Sequence, residues 1–314
     1  MQMDHTVFLA NAQNVLQQVR RVVVGKNHVL TWAFAAMLAK GHILMEDIPG
    51  VGKTTMALAF ARTLGLKDSR VQFTPDVLPS DVTGFSVLDQ KTGEMSYRPG
   101  AVLCNLFLAD ELNRATSRTQ SALLEAMEEG QVTVDGISHK IPQPFVVIAT
   151  QNPTGAAGTQ PLPDSQTDRF MIRLSLGYPS FDDEIAMVSA RQASDPLKLL
   201  TPVINAQELS QMQELVAQTY ISQELVRYIV KLVQATRSHP MIARGASPRA
   251  TLAVVSMSKA LARLHGRDFV IPSEIQSAYP MTLSHRIELS GKAVQQTTEQ
   301  VLQGIMQTIP TPKL

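Results

Sequence analysis

A glycine-rich segment near the start of the chain carries the residue types that bind phosphate. Gly52, Lys53 and Thr54 follow an apolar run at 42–45 and precede a helical pattern that stops at Gly65. Backbone N–H groups of such a turn, with the positive end of the following helix, can cradle phosphate oxygens. A lysine adds a point charge for the β- and γ-phosphates, and a threonine hydroxyl can ligate Mg²⁺. The spacing therefore predicts a strand, a phosphate-binding loop and a helix.

One position of this segment departs from the generic phosphate-loop pattern. The pattern asks for glycine at its first position, where this chain has Asp47. The alternative is a strand, turn and helix in which Gly-Lys-Thr occurs by chance, but the flanking strand and helix stand where the motif needs them. The residues expected to bind the nucleotide here are Pro49, Gly50, Val51, Gly52, Lys53, Thr54 and Thr55.

Two carboxylates end a later apolar run. Residues 106–109 lead into Asp110 and Glu111. In a sheet that carries a phosphate loop, this position lets Asp110 hold Mg²⁺ through water and lets Glu111 polarise an attacking water. The alternative is a helix N-cap followed by a first-turn acid, which the helix dipole stabilises. Combined with the earlier Gly-Lys-Thr, the pair favours the catalytic interpretation.

A polar amide follows the next apolar run. Residues 145–150 lead into Gln151, Asn152 and Pro153. An amide at the tip of a strand beside the carboxylate strand can orient water or contact the γ-phosphate. The alternative is an asparagine that forms a turn before proline, and these residues taken alone favour it strongly.

Length, charge and cysteine usage bound the class of protein. A chain of 314 residues suggests two domains, and a net charge of +1 shows no bias towards nucleic acid or an anionic membrane. The single Cys104 excludes an internal disulfide framework and is interpreted as a small buried residue. The histidines show no metal-site spacing, so we predict no structural metal. The N-terminus lacks a signal-peptide pattern and no apolar stretch reaches membrane-spanning length, which predicts a cytoplasmic protein without membrane insertion.

Apolar runs bounded by turn residues alternate with helical patterns through the first part of the chain. The runs lie at 42–45, 70–73, 106–109, 145–150 and 170–174, after helical patterns at about 5–19 and 29–38. This alternation predicts βαβ units and a mainly parallel, five-stranded sheet between helices.

The composition changes at Ser194, where the strand runs stop. Helical patterns follow at about 206–220, 223–237, 248–265, 273–280 and 292–307. We therefore predict an α/β nucleotide-binding domain over 1–195 and a small all-helical domain over 196–314.

Two segments interrupt the alternation of the first part. Short alternating runs flank 89–93 within 83–97, and two more flank Asp135-Gly136 within 131–141. Asp-Gly between such runs favours a β-hairpin because both turn residues tolerate positive φ. Ordinary surface loops are the alternative for both segments, and spacing does not decide between them.

A series of ordered segments resembles the MoxR family of AAA+ ATPases. The segments are 47–54 (DIPGVGKT), 109–115 (ADELNRA), 149–153 (ATQNP), 158–163 (GTQPLP), 168–170 (DRF) and 245–250 (GASPRA). The resemblance covers nearly the whole chain and accounts for Asp47, because an acidic pair before Pro-Gly is common in this family. The family often has an aromatic residue where Gln160 stands and more apolar residues at Ser165 and Thr167, which concerns local loop packing.

The resemblance implies an AAA+ core with two β-hairpin insertions that point towards the pore of a ring, followed by a helical lid domain. It assigns Lys53 and Thr54 to the Walker A motif, Asp110 and Glu111 to the Walker B motif, and Asn152 to the sensor 1 position.

Further roles come from the same resemblance. It implies that Arg169 is an arginine finger reaching the γ-phosphate of a neighbouring subunit, that Arg249 is the sensor 2 arginine, and that Val24 and Gly25 lie near the adenine. Residues 247–249 also read as N-cap, N1 and N2 of a helix, which places Arg249 at a rigid helix start.

Some alternatives among the arginines stay open at this point. Arg169 can instead pair with Asp168 or another acid, and Arg114 and Arg173 are further candidates for an interface. Whether Arg249 acts on its own subunit or on the neighbour is also open.

The function implied is an Mg²⁺-dependent ATPase that forms a homo-oligomeric, hexameric ring and remodels or matures partner proteins or metalloenzyme complexes. Its cofactors are ATP and Mg²⁺, and its partners are a von Willebrand A domain protein and a client protein. The alternatives are a nucleotide-gated scaffold with little hydrolysis, a chelatase-type subunit, and a DNA-directed AAA+ motor. The presence of Asp110 and Glu111 weighs against the scaffold, and the near-neutral charge weighs against DNA.

Overall fold

The computed structural model describes residues 3–90, 93–152, 162–193, 195–293 and 295–312. Its helices are α1 His5–Arg20, α2 Asn27–Leu38, α3 Lys53–Thr63, α4 Pro79–Thr83, α5 Ser117–Glu129, α6 Asp164–Thr167, α7 Phe181–Ala193, α8 Ala206–Ala217, α9 Gln223–Ser238, α10 Pro248–Leu264, α11 Pro272–Leu283 and α12 Thr298–Thr308. Its strands are β1 Ile43–Glu46, β2 Asp68–Gln72, β3 Gly84–Leu88, β4 Met95–Pro99, β5 Leu106–Asp110, β6 Gln131–Val134, β7 Ile137–Lys140, β8 Val146–Gln151, β9 Ile172–Leu174, β10 Ile242–Arg244 and β11 Glu288–Leu289. Short 3₁₀ turns occupy Leu112–Arg114 and Pro196–Leu199.

A parallel five-stranded sheet in the order β2-β5-β8-β1-β9 forms the centre of the first part of the chain. This confirms the predicted fold class. Because all five strands run in one direction, their carboxyl ends meet at one end of the sheet, where ligands bind in open α/β sheets. The loop after β1 and the residues that end β5 and β8 therefore lie together, at what we call the carboxyl end of the sheet.

Side chains along the three central strands β5, β8 and β1 alternate between two hydrophobic clusters, one on each face of the sheet. Ile43 and Met45 belong to one cluster, while Leu44 between them belongs to the other. The first cluster continues without a break from α1–α3 into the helices after residue 200. The Gln213 side chain reinforces this contact by donating from Nε2 to the Met37 carbonyl at 2.8 Å. The two predicted domains thus share one apolar core.

Both predicted hairpins are present, so the interpretation of these segments as ordinary surface loops is wrong. Strands β3 and β4 pair antiparallel, as do β6 and β7. Asp135 and Gly136 have φ values of 51° and 78°, as a two-residue hairpin turn requires. The two hairpins touch through stacked rings of Tyr97 and His139, whose centroids lie 3.6 Å apart.

The second part of the chain is mostly helical but contains a two-stranded ribbon of β10 and β11, so the all-helical prediction omits it. These strands are short and far apart in sequence, and no local pattern reveals them. The last helix begins at Thr298 rather than 292, because Thr297 and Gln300 form a capping box there. Strand β2 begins at Asp68 rather than 70. This strand lies at the edge of the sheet and is partly exposed, so its apolar pattern is weak.

Some sequence predictions fall outside the described residues or stay predictions. Pro153, Gln160 and most of the 158–163 segment are outside them, as is Ser194 at the expected boundary. The division into 1–195 and 196–314 stays a prediction. Over the described ranges, no helix has the length and apolar character needed to cross a membrane.

Candidate nucleotide-binding site

The loop between β1 and α3 has the backbone geometry of a phosphate cradle. Gly50 and Gly52 have φ values of 87° and 101°, and a Cβ atom added to either would meet no atom of the described residues within 4 Å. Glycine adopts this left-handed region without strain. Helix α3 begins at Lys53, and in the part of the chain that the structure describes no side chain caps its first turn. The backbone N–H groups of that turn are therefore available to an anion in the loop.

Lys53 lies inside the loop and is 7% exposed. Its ammonium group donates to the backbone carbonyls of Asp47 at 2.7 Å and Ile48 at 3.0 Å. Burial lowers the pKa of Lys53, while attraction to the carboxylates of Asp47, Asp110 and Glu111 opposes that shift. The hydrogen-bond acceptors around Lys53 therefore hold its ammonium group inside the loop.

The side chain of Asp47 explains why the first position of the loop is not glycine. Asp47 is 5% exposed, and its carboxylate accepts hydrogen bonds from Ser175 Oγ at 2.8 Å, Leu176 N at 2.6 Å and Gly177 N at 3.1 Å. These residues directly follow β9 and lead to Tyr178. Asp47 therefore ties the phosphate loop to the segment that follows the edge strand.

Oxygen atoms suited to Mg²⁺ meet at the ends of α3 and β5. Thr54 Oγ1 lies 3.5 Å from Asp110 Oδ2, and Thr150 Oγ1 donates to Asp110 Oδ1 at 2.7 Å. Arg70 pairs with Asp110 Oδ2 at 2.7 Å. Mg²⁺ prefers one or two protein oxygens together with phosphate oxygens and water. The hydroxyl of Thr54 and the carboxylate of Asp110 fit this requirement.

Glu111 is held in a defined orientation beside Asp110. Its φ is 56°, an uncommon value outside glycine that marks a constrained position. Its carboxylate accepts from Asn152 Nδ2 at 3.2 Å and from Arg114 at 2.9 Å, and its backbone N–H donates to Thr150 Oγ1 at 2.8 Å. The hydrogen bond from Arg114 is the main cause of its lowered pKa. The carboxylate of Glu111 is therefore ionised, and Asn152 and Arg114 hold it in a fixed direction.

These contacts decide two of the alternatives. The alternative made Asp110 a helix N-cap and Glu111 a first-turn acid, but Glu111 precedes only a short 3₁₀ turn and makes no side-chain cap hydrogen bond to it. The Asp110 carboxylate contacts the side chains of Thr54, Arg70 and Thr150 instead. The amide of Asn152 donates to Glu111 and is therefore not used only to form a turn before Pro153.

A cavity of about 360 Å³ lies beside the phosphate loop. Val24, Tyr178 and Met187 supply apolar and aromatic walls, and Asp183 supplies a carboxylate. Gly25 approaches that carboxylate so closely that a Cβ atom on it would stand 2.1 Å from Asp183 Oδ2. Glu184 and Asp195 also line the cavity, as do Arg21 and Lys26. Apolar walls with carboxylates at their edge suit a planar base with an amino group. The same cavity is lined by Pro49, Gly50, Val51, Gly52 and Thr55.

Arg169 and Arg249, which we call the arginine pair, share one carboxylate. Arg169 NH1 lies 2.7 Å from Glu128 Oε2, and Arg249 NH2 lies 2.5 Å from Glu128 Oε1. Asp168 pairs instead with Arg286 at 2.9 Å. Of the two acid partners that the alternative offered Arg169, Asp168 is therefore wrong, whereas another acid, Glu128, is the one found.

The arginine pair lies away from the phosphate loop of its own chain. Met171 N donates to the carbonyl of His42, which precedes β1, at 2.8 Å. The His42 ring also contacts the Met127 carbonyl near the end of α5, at 3.1 Å. Both contacts place Glu128 and Arg169 at the amino end of the strands. The structure therefore brings Lys53, Thr54, Asp110, Glu111 and Asn152 together but leaves Arg169 and Arg249 apart from them.

The other two candidate arginines lie near the carboxyl end of the sheet. Arg114 pairs with Glu111. Arg173 pairs with Glu46, the last residue of β1, with 2.8 Å between NH1 and Oε2. Neither joins the arginine pair.

The sequence predicts no role for Thr150, Arg70 or Glu128, although all of them contact site residues. Thr150 and Arg70 become visible only from strand order, because β5 lies between β2 and β8. In that register Ala109 faces Ala149, which sets Thr150 beside Asp110. Glu128 carries no local signal that separates it from its acidic neighbours.

Comparison with known proteins agrees with this geometry. The model of the ATPase family associated with various cellular activities (AAA) matches residues 42–172, and an AAA lid domain model matches 234–305. The uncharacterized protein YeaC of Bacillus subtilis (strain 168) is 46% identical across 95% of this chain and 93% of its own length. Chaperone MoxR1 of Mycobacterium tuberculosis is 36% identical across 96% and 82%. The crystal structure of a proposed ATPase from Cytophaga hutchinsonii has a TM-score of 0.91 at 33% identity, covering 98% of this chain and 97% of that one. This chain therefore belongs to the MoxR family of AAA+ ATPases.

Proposed function

We propose that this protein hydrolyses ATP with Mg²⁺ and uses the energy to remodel partner proteins. The observation that carries the proposal is the convergence of a phosphate loop, two carboxylates and an amide at the carboxyl end of one sheet. Lys53, Asp110, Glu111 and Asn152 come from three different strand ends. Asn152 nevertheless donates a hydrogen bond to Glu111, and the charge of Lys53 is attracted to both carboxylates. Stabilisation of the fold does not account for this arrangement, because the fold already has a large apolar core and buried charges often stabilise no better than apolar packing.

Each part of the loop has a role in holding ATP. The backbone N–H groups at the start of α3 and the ammonium group of Lys53 bind the β- and γ-phosphates. Thr54 and Asp110 would hold Mg²⁺, which would supply positive charge to neutralise the phosphates. The cavity lined by Val24 and Tyr178 receives the adenine.

Glu111 is the residue that acts on the attacking water. Its carboxylate is ionised, and Asn152 and Arg114 fix its direction, so it accepts a hydrogen bond from water and orients it towards the γ-phosphate. The Thr150 hydroxyl donates to the Asp110 carboxylate and accepts from the Glu111 backbone N–H, so it fixes the backbone of Glu111 relative to the Asp110 carboxylate.

The arginine pair acts at the nucleotide site of a second copy of the chain. Arg169 and Arg249 lie at the end of the sheet opposite their own phosphate loop, and both are partly exposed. Guanidinium groups at such a position can reach the γ-phosphate of a neighbouring subunit and stabilise transferred charge. We therefore propose a homo-oligomeric ring, hexameric as in AAA+ proteins, in which both arginines act in trans.

The substrate of the ring is proposed to be protein. A relative that matches most of this chain is named a chaperone, which supports a remodelling or maturation role. A von Willebrand A domain protein and a client protein are the proposed partners, and the cytoplasm is the proposed location.

The first test replaces Glu111 with glutamine. We expect Glu111→Gln to bind ATP as tightly as the parent while phosphate release falls about 100-fold or more, because a positioned base contributes at least that much. Glu224→Gln, an exposed acid in the first turn of α9, is the matched control and should keep full turnover. Unchanged phosphate release by Glu111→Gln would exclude this role, and no release by the parent would favour a nucleotide-gated scaffold.

The second test addresses action in trans. Arg169→Ala should lose turnover about 1,000-fold, as expected for an arginine finger. Mixing it with Glu111→Gln during assembly should restore phosphate release, because active sites of one variant then face the intact arginine pair of the other. Mixed assemblies as inactive as either variant alone would argue against a trans role.

A further inference from the structure

Arg286, just after α11, uses every N–H donor of its guanidinium group. Its Nε donates to Asp168 Oδ1 at 2.9 Å, and NH2 donates to the carbonyls of Asp168 at 3.0 Å and Phe170 at 2.6 Å. NH1 donates to the carbonyl of Met171 at 3.1 Å and to that of Thr282. Four of these five hydrogen bonds end on the segment 168–171. Arg286, a residue of the helical part, thus binds the backbone on both sides of Arg169.

A second side chain of the helical part holds the same segment. His285 contacts the Phe170 carbonyl through Nε2 at 2.9 Å. Its ring is buried, and burial lowers its pKa well below the usual value, so the neutral ring donates this hydrogen bond. The Phe170 carbonyl therefore has two donors, and the backbone direction at Arg169 is set from the helical part.

The same contact extends to the helix that carries Arg249. Asp168 Oδ2 accepts from Ser247 Oγ at 2.9 Å. Ser247 is the N-cap of α10 and accepts from Arg249 N at 3.2 Å. The carboxylate of Asp168 therefore joins Arg286 to the helix start from which Arg249 projects. Glu128 contacts the guanidinium groups of the arginine pair. Arg286 instead contacts the backbone on both sides of Arg169 and is linked to the backbone of Arg249 through Asp168 and Ser247.

Stability alone is a weak reason for this arrangement. Arg286 is 6% exposed, and a buried ion pair often stabilises a fold no better than packed apolar residues of similar volume. A planar guanidinium with five donors has a different advantage, because it fixes the relative orientation of all the carbonyls it contacts. Arg286 stays protonated at neutral pH, since burial lowers its pKa only to about 10 while Asp168 opposes the shift.

We propose that Arg286 is a positioning residue for ATP hydrolysis in the neighbouring subunit. It acts through Asp168 and the backbone of 168–171 to orient Arg169, and through Ser247 to orient Arg249. This inference rests on the proposed trans role of the arginine pair.

The test is Arg286→Lys, which keeps the positive charge but loses the planar fork. We expect phosphate release to fall tenfold to 100-fold, because misplacing a charge-stabilising group by about 1 Å can cost about 100-fold in rate. ATP binding by the variant should be unchanged. Mixing Arg286→Lys with Glu111→Gln should restore phosphate release, because the Arg286→Lys active sites that adjoin a Glu111→Gln subunit then face an intact arginine pair. A purely structural defect would lie in every Arg286→Lys subunit and would not be rescued.

Arg267→Lys is the matched control, since Arg267 also pairs with a buried acid of the helical part, Glu274, and does not contact 168–171. It should keep full turnover. If Arg286→Lys does not fold, as judged by its melting temperature, Asp168→Asn replaces it and carries the same expectation.

The outcomes separate this inference from the one it rests on. If mixing rescues Arg169→Ala but not Arg286→Lys, the positioning role is wrong and the trans role stands. If mixing rescues neither, the trans role itself is wrong. Full phosphate release by Arg286→Lys alone would also overturn the positioning role.

Discussion

Replacing Asp47 with glycine would give the phosphate loop the residue that the generic pattern has at its first position, yet we expect Asp47→Gly to destabilise the protein. The carboxylate is buried and accepts from Ser175, Leu176 and Gly177. Glycine offers no acceptor, so the N–H of buried Leu176 loses its partner. The segment after β9 is then no longer tied to the loop.

The size of the effect follows from these contacts. A hydrogen bond to a charged group contributes about 1.5–3 kcal/mol, and a buried donor left without a partner costs about 1–3 kcal/mol. Glycine in place of a side chain adds up to about 1 kcal/mol through backbone entropy. Because such contributions are not additive, we expect a total loss of about 3–5 kcal/mol in the free energy of unfolding.

Two measurements check this prediction. Trp32 is the only tryptophan and is 6% exposed, so its fluorescence reports unfolding in denaturant. Titration with a fluorescent ATP analogue reports binding, which should weaken because the loosened segment leads to Tyr178 in the nucleotide cavity. Ser175→Ala, which removes one of the hydrogen bonds, is the matched control and should lose about 1–2 kcal/mol. An Asp47→Gly variant as stable and as tightly binding as the parent would refute the reasoning.

Three further predictions follow from contacts of single residues. Thr150→Val should lower phosphate release about tenfold or more at unchanged ATP binding, because both acidic site residues lose the hydroxyl between them; an unchanged rate would contradict this. Gly25→Ala should weaken ATP-analogue binding about tenfold, since its Cβ would stand 2.1 Å from Asp183 and its φ is +74°; equal affinity would contradict it. Burial lowers the pKa of His42 from 6.5 to about 4. Between these values the unfolded chain binds a proton that the folded chain does not, so stability should fall as the pH drops, by up to about 3 kcal/mol. His42→Gln should show a shallower dependence of the unfolding free energy on pH, and an equal slope would contradict the assignment.

The parts of the site that sequence alone predicts are those encoded by local spacing. Lys53 and Thr54 follow a strand directly, and Asp110 and Glu111 end another, so a few neighbouring residues identify each motif. The parallel sheet then brings the motifs together, because each motif stands at the carboxyl end of its strand. Asn152 belongs to the same group, although its contact with Glu111 is visible only in the structure.

Contacts between distant segments cannot be predicted from the sequence alone, because they form only when whole elements pack together. Thr150 acquires its role from strand order, and β10 and β11 are too short to show a pattern before they pair. Glu128 looks like any exposed acid of an amphipathic helix until the chain folds Arg169 and Arg249 onto it. Residue type and period describe neighbours along the chain, whereas these contacts depend on how whole elements pack.

The unbroken apolar cluster between the sheet and the later helices limits how the protein can move. Helix α2 packs on α8 and α10 through buried side chains, and Gln213 binds the end of α2 at Met37. A wide hinge opening between these parts would expose that core to water at a large cost. Shear motion, in which packed helices slide by about 1–2 Å without separating, avoids this cost. Nucleotide-dependent changes should therefore reach the arginine pair as small displacements of a packed body.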